Sequence, residues 1–98
     1  MKLDFNKPAR DQRGEIITDN KKPVMMNEIL SNALAMATGK IPVVKFFEWS
    51  ERLAAAEVID LDTADQKLLQ QWIESHESFT AVAKKRLLDV FEHAAKKK

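Results

Sequence analysis

Leu61-Asp62-Thr63-Ala64-Asp65-Gln66 opens the stretch that decides the fold, which runs on to Phe91. Behind it come two apolar stripes: Leu68, Leu69, Trp72, Ile73 and His76, then Phe79, Ala83, Leu87, Val90 and Phe91. Residues three or four apart share one helix face, so each stripe is a ridge that must pack against another. Asp62 or Thr63 can accept a hydrogen bond from a free backbone N–H of the first turn, and Thr63 with Gln66 reads as a capping box. The break at Glu74–Ser78 holds neither glycine nor proline. A tight turn, with Ser78 capping the next helix, is preferred there over one continuous helix. From Leu61 to Phe79 there are four acids and one base, and from Thr80 to Lys98 six bases and two acids. Antiparallel pairing of the two helices would use that asymmetry, at ~0.2–1 kcal/mol for each exposed ion pair.

Upstream, Pro42 is placed to start a helix, since its missing N–H would be unpaired there anyway. Val43, Phe46, Phe47, Ser50, Leu53 and Ala54 are its expected buried face, with Trp49 half covered on the flank and an end near Val58–Asp60. Before it, Pro23 reads as the first turn of another helix. Met26, Ile29, Leu30, Ala33, Leu34 and Ala37 form its stripe, and Gly39 is the expected left-handed cap. Residues 1–22 have a different pattern. Leu3 and Phe5 alternate with Lys2, Asp4 and Asn6, a period of two that predicts a strand ending at Pro8. Asp11-Gln12-Arg13-Gly14 signals a turn, Glu15-Ile16-Ile17-Thr18 a second strand, and Asp19–Lys22 a polar connector. Two strands alone are marginal in water. Leu3, Phe5 and one of the isoleucines must therefore cover a helical core or pair outside the chain. The expected architecture is a mainly α single domain over 1–98. It has an extended or hairpin arm (1–22), a bundle of about four helices (23–95) and a frayed basic tail (96–98).

Bulk properties exclude more than they assign. The chain has 98 residues, 45% hydrophobic and 32% charged, as ordinary globular domains have. It contains no cysteine, which rules out disulfides and thiolate metal sites. Charges alternate from Lys2 to Lys7 with no apolar run, so no secretory signal is expected. No apolar run approaches the length of a membrane span. The net charge of +1 exerts no global pull on nucleic acid or lipid.

Candidate chemistry is sparse. His76 and His93 are the only histidines, and neither lies in a ligand spacing used by zinc or di-iron sites. Serines 31, 50, 75 and 78 lack a glycine-flanked elbow, and Gly14 and Gly39 are isolated, so no phosphate-cradling loop is available. No catalytic residue, metal or cofactor is expected. Lys84, Lys85 and Arg86 are the residues that would contact phosphates if the last helix met nucleic acid. Asp89 and Glu92 share that helix, and a solvated face is the preferred reading. Met25, Met26 and Met36 could supply an adaptable surface, but at this spacing ordinary core is preferred. Val82, Leu88 and Phe91 widen the apolar surface of the last helix beyond one face. With Leu3 and Phe5 they form the expected interaction surface, and self-association through the last helix, the N-terminal strand or both is expected.

The opening Lys2-Leu3-Asp4-Phe5-x-Lys7-Pro8, followed by Asp11, Gly14 and Ile17, resembles a group of short tailed-bacteriophage and prophage proteins. The likeness continues through Ile29-Leu30-x-x-Ala33-Leu34 and the helix start Leu61-Asp62-x-x-Asp65. Such proteins look like accessory morphogenesis factors, some resembling tail-assembly chaperones or head–tail components. The resemblance implies a non-enzymatic protein in the host cytoplasm that contacts phage structural or assembly proteins. It transfers no catalytic residue to this chain. A DNA-associated or regulatory phage protein using the basic last helix is the alternative.

Overall fold

Leu3 and Phe5 are fully buried, and the reason is where the first strand goes. In the computed structural model, which describes residues 1–96, β1 (Lys2–Leu3) pairs antiparallel with β4 (Ile59–Asp60). The register sets Lys2 opposite Asp60 and Leu3 opposite Ile59. The pairing is continued by Leu61 N–H donating to the Met1 carbonyl at 2.9 Å. Downstream, the Asn6 side-chain amide donates to the Ala56 carbonyl at 2.9 Å. The period-two alternation therefore holds, but its partner is not the 15–18 segment that a local hairpin would use. The chain returns nearly sixty residues later to pair with the N-terminus instead, and Leu3 and Phe5 both leave water there.

The local hairpin lies further on. β2 (Thr18–Asp19) pairs with β3 (Lys22–Pro23), and Asn20 and Lys21 between them have φ of 51° and 66°. Two consecutive left-handed residues make the two-residue turn whose twist matches its strands. The polar connector is thus a turn, and Pro23 belongs to a strand rather than to a helix start. The turn at Asp11–Gly14 forms as expected, with Gly14 N–H donating to the Asp11 carbonyl at 3.0 Å. The Asp11 carboxylate accepts from the Arg13 and Glu15 amides. Residues 8–10 run between 16–17 and 24–25, and Ala9 is buried where Ala9 N–H meets the Val24 carbonyl and Ile17 N–H the Ala9 carbonyl. Both Ile16 and Ile17 keep much of their surface exposed.

Four helices follow: α1 (Met26–Ala35), α2 (Val43–Ala54), α3 (Thr63–Ser75) and α4 (Ala81–Lys96). α1 ends short of Gly39, which has its positive φ inside the α1–α2 loop. α2 ends earlier than its sequence pattern indicates, without glycine. Ala56 takes φ of 58°, Ala56 N–H donates to the Leu53 carbonyl and Glu57 N–H to the Arg52 carbonyl, both at 3.0 Å. This is a Schellman exit, and it uses alanine where glycine is usual. The N-cap of α3 is Asp62, whose carboxylate accepts from Asp65 N–H at 2.8 Å. Thr63 is the first helical residue, so the Thr63–Gln66 capping box does not form. α3 and α4 are separate helices, as preferred, but Thr80 and not Ser78 caps the second, with its hydroxyl accepting from Ala83 N–H at 3.1 Å. Of the expected tail, only the backbone of Lys96, the last residue of α4, lies within the described residues.

One core joins these pieces: Leu3 and Phe5, then Leu30 and Leu34 of α1, Phe46 and Leu53 of α2, Leu69 and Ile73 of α3, and Leu87 and Phe91 of α4. The radius of gyration is 12.9 Å, the value expected for one domain of this length. No helix among the described residues is long and apolar enough to cross a membrane.

Candidate functional site

The residues that the sequence marks as an interaction surface are mostly core. Phe5 meets Phe91 edge-on with ring centroids 6.0 Å apart, and Leu3, Phe5 and Phe91 are buried. Leu88 is half-buried and packs against the same core, and Val82 is half-buried. More than one face of α4 is covered within the monomer, so Leu3, Phe5 and Phe91 are not the exposed interaction surface that the sequence predicts. α3 covers one side and the N-terminal segment another, so the surplus apolar surface of α4 is used internally. Burial of a Leu or Phe contributes about 1.5–3 kcal/mol, enough to hold the docked segment in place.

The three candidate phosphate contacts also have internal partners. Lys84 donates through Nζ to the Glu74 carbonyl at 3.0 Å. Lys85 pairs with Asp89 at 2.5 Å along α4. Hydrogen bonding to the Asp89 carboxylate, then its charge, holds the Lys85 ammonium above the ordinary lysine range. Arg86 donates to the Arg10 carbonyl at 3.0 Å and the Asp11 carbonyl at 2.6 Å. It thereby ties α4 to the N-terminal turn. None of the three cations is presented as a bare phosphate contact, although the exposed Lys85–Asp89 pair is weak.

Exposed apolar surface collects at the elbow between α1 and α2. Met36 is 80% exposed, Val43 65%, Val44 72% and Phe47 55%. The elbow arises from how the two helices lock. The Asn27 side-chain amide donates to the Leu53 carbonyl at 2.8 Å, and the Ser31 hydroxyl to the Ser50 carbonyl at 2.7 Å. The start of α1 thus lies at the end of α2, so the helices are antiparallel. The same register brings Met36 level with the first turn of α2. Small polar residues at 27, 31 and 50, all buried, let the backbones approach closely while supplying carbonyl partners.

The expected inner face of α2 is turned. Phe46, Trp49, Ser50 and Leu53 are buried, whereas Val43, Phe47 and Ala54 are exposed. At about 100° per residue, Phe47 sits a quarter-turn or more from Phe46. The rotation follows the aromatic rings. Phe46 packs on Trp49 at 5.6 Å and on Trp72 of α3 at 5.3 Å, and Trp49 can join that cluster only if Phe47 turns outward. The signal available in the sequence was Val43-Val44 beside Phe46-Phe47: four large apolar residues in five positions exceed what one face can take.

Lys45, within this run, leaves the patch by pairing with Asp65 of α3 at 2.8 Å. The hydrogen bond to the Asp65 carboxylate, and then its charge, hold the Lys45 ammonium above the ordinary lysine range. Elsewhere, a groove of about 350 Å³ between the N-terminal segment and α4 is lined by Lys7, Met26, Arg86, Asp89, Glu92 and His93 among others. Its charges are of mixed sign. His76 packs against Trp72 and Phe79 with tilted rings, both at a centroid distance of 4.5 Å. No cluster of His, Asp and Glu suited to a metal occurs among the described residues. In comparisons with protein-family models, curated proteins and solved structures, nothing matches this chain.

Proposed function

We propose that this chain is a non-enzymatic interaction protein. Its setting, taken from the resemblance of the Lys2–Pro8 opening and the segments after it, is virion assembly of a tailed phage or prophage in the bacterial cytoplasm. The observation that carries the interaction reading is the elbow: Met36, Val43, Val44 and Phe47 on one rigid helix pair, each more than half exposed. Contiguous apolar exposure of this kind on a small domain marks a contact surface. A helix pair locked by buried hydrogen bonds presents that surface in a fixed shape, so little ordering entropy is lost on contact. The DNA-associated reading draws less support, because Lys84, Lys85 and Arg86 are engaged within the chain.

The test is affinity capture from phage-infected cells with the wild type and with Val44→Asp/Phe47→Asp. Wild type should retain a head–tail or tail-assembly protein, and the variant should lose it while keeping its helical circular dichroism. Equal capture by both, or salt-sensitive retention of DNA alone, would sink the reading.

A further inference from the structure

We propose that the elbow is the interface of a two-fold dimer of this chain, with α2 of one copy crossing α2 of the other antiparallel. The proposal deepens the interaction reading and rests on it: a second copy covers this surface, and the dimer so formed is what meets the phage protein. Val44, Phe47, Glu48 and Glu51 stand at i, i+3, i+4 and i+7, one face of α2, and all four are exposed. Along that face the order is basic, apolar, acidic. Lys40 precedes the helix, Val43, Val44 and Phe47 follow, and Glu48 and Glu51 come last. Lys45 does not blur the order, because its ammonium is committed to Asp65 of its own chain. Arg52, exposed and four residues after Glu48, borders the acidic end of the stripe, which stays net acidic through Glu48 and Glu51.

A partner complementary to basic–apolar–acidic must read acidic–apolar–basic in the same direction. This face read backwards is that partner. A two-fold axis through the middle of the stripe sets Val44 of one copy on Phe47 of the other and brings Lys40 toward Glu51 at both ends. Such an interface is isologous, each contact occurring twice. Parallel pairing would instead set Lys40 against Lys40 and Glu51 against Glu51. Met36, level with the first turn of α2, widens the apolar centre. The arrangement has the apolar core and charged rim of a specific interface.

The chain has no cysteine, which makes the test clean. Sedimentation of the full chain from micromolar to several hundred micromolar should show a monomer–dimer equilibrium. Val44→Asp should raise its dissociation constant at least tenfold with the thermal midpoint little changed. Lys40→Glu and Glu51→Lys should each weaken the dimer several-fold, and the double variant should recover most of the loss. A mixture of Val44→Cys and Phe47→Cys chains should form disulfide-linked heterodimers under mild oxidation. A strictly monomeric wild type overturns the proposal, and so does a dimer indifferent to Val44→Asp or a double variant worse than either single one. If the wild type is monomeric yet captures a phage protein through Val44 and Phe47, the dimer fails and the interaction reading stands. If neither contact occurs, both fail.

Discussion

α4 and α2 both carry more apolar residues than one buried face can hold, and the chain resolves the two cases in opposite ways. On α4 the surplus is covered: the N-terminal segment folds over it, and Phe5 lies against Phe91. On α2 no other described element covers Val43, Val44 and Phe47, so they face water. The difference is one of reach. β4 returns the chain to β1 beside α4, while the short loop of residues 37–42 ties α2 to α1 and leaves nothing to fold over its outer side. An apolar surplus in sequence is therefore an internal docking site or an external one according to what the rest of the chain can reach.

The strongest way to break this comparison is to remove one ring from each helix. Phe91→Ala should destabilise the fold by about 3–5 kcal/mol, the usual cost of a cavity at a buried Phe. Phe47→Ala, measured at concentrations where the chain is monomeric, should shift stability by no more than about 0.5 kcal/mol, as exposed substitutions do. Urea unfolding measures both. Similar losses at the two sites would mean that Phe47 is core and that α2 has no free face.

A smaller effect sharpens the link between the two regions. The Ala56 exit turns the chain from α2 toward β4, and so toward the segment that covers α4. A left-handed L-residue costs about 1–2 kcal/mol, whereas glycine adds only about 0.4–1 kcal/mol of unfolded-state freedom. Ala56→Gly should therefore stabilise the fold by about 0.5–1 kcal/mol, read as a rise in thermal midpoint, with self-association unchanged. A fall in stability would show that the alanine methyl makes a contact worth more than the strain.

The smallest effect concerns how α2 is fastened. α4 is held mainly by burial, while α2 adds the half-exposed Lys45–Asp65 pair. The Lys45 pKa is raised by folding. Its contribution is therefore complete below the unfolded lysine value of about 10.4, and is lost as pH rises through the higher folded value. Stability measured from pH 9 upward should decline less steeply in Lys45→Met than in wild type. Identical slopes would show that the pair adds nothing.

Several features were legible because their causes are local. The stripes of α1, α3 and α4 follow from helical period, and Leu69, Ile73, Leu87, Val90 and Phe91 are buried as those stripes require. The turn at Asp11–Gly14, the start of α3 at Asp62 or Thr63 and the alternation that sets Leu3 and Phe5 on one side of their strand depend on neighbours within a few residues. What the period could not say was which of two overlapping apolar faces α2 would bury. Phe46 and Leu53 belong to both, and the choice fell to Trp49 through its stacking on Phe46 beside Trp72. The candidate site was misplaced for the same reason, since exposure is a property of what packs on a face and not of the face itself.

The sequence by itself determined the four helices and an extended N-terminal segment, the absence of cysteine chemistry and the apolar surpluses on α2 and α4, while the strands at Lys22–Pro23 and Ile59–Asp60 were not legible in it. Periodicity and composition act over a few residues and need no partner to be read. Only the tertiary structure decided that β1 pairs with β4 across nearly sixty residues, that α4 is thereby covered, and that the free apolar face is the elbow of α1 and α2. Those outcomes depend on which distant surface can be reached and close-packed, a competition between long-range contacts that no local stretch encodes.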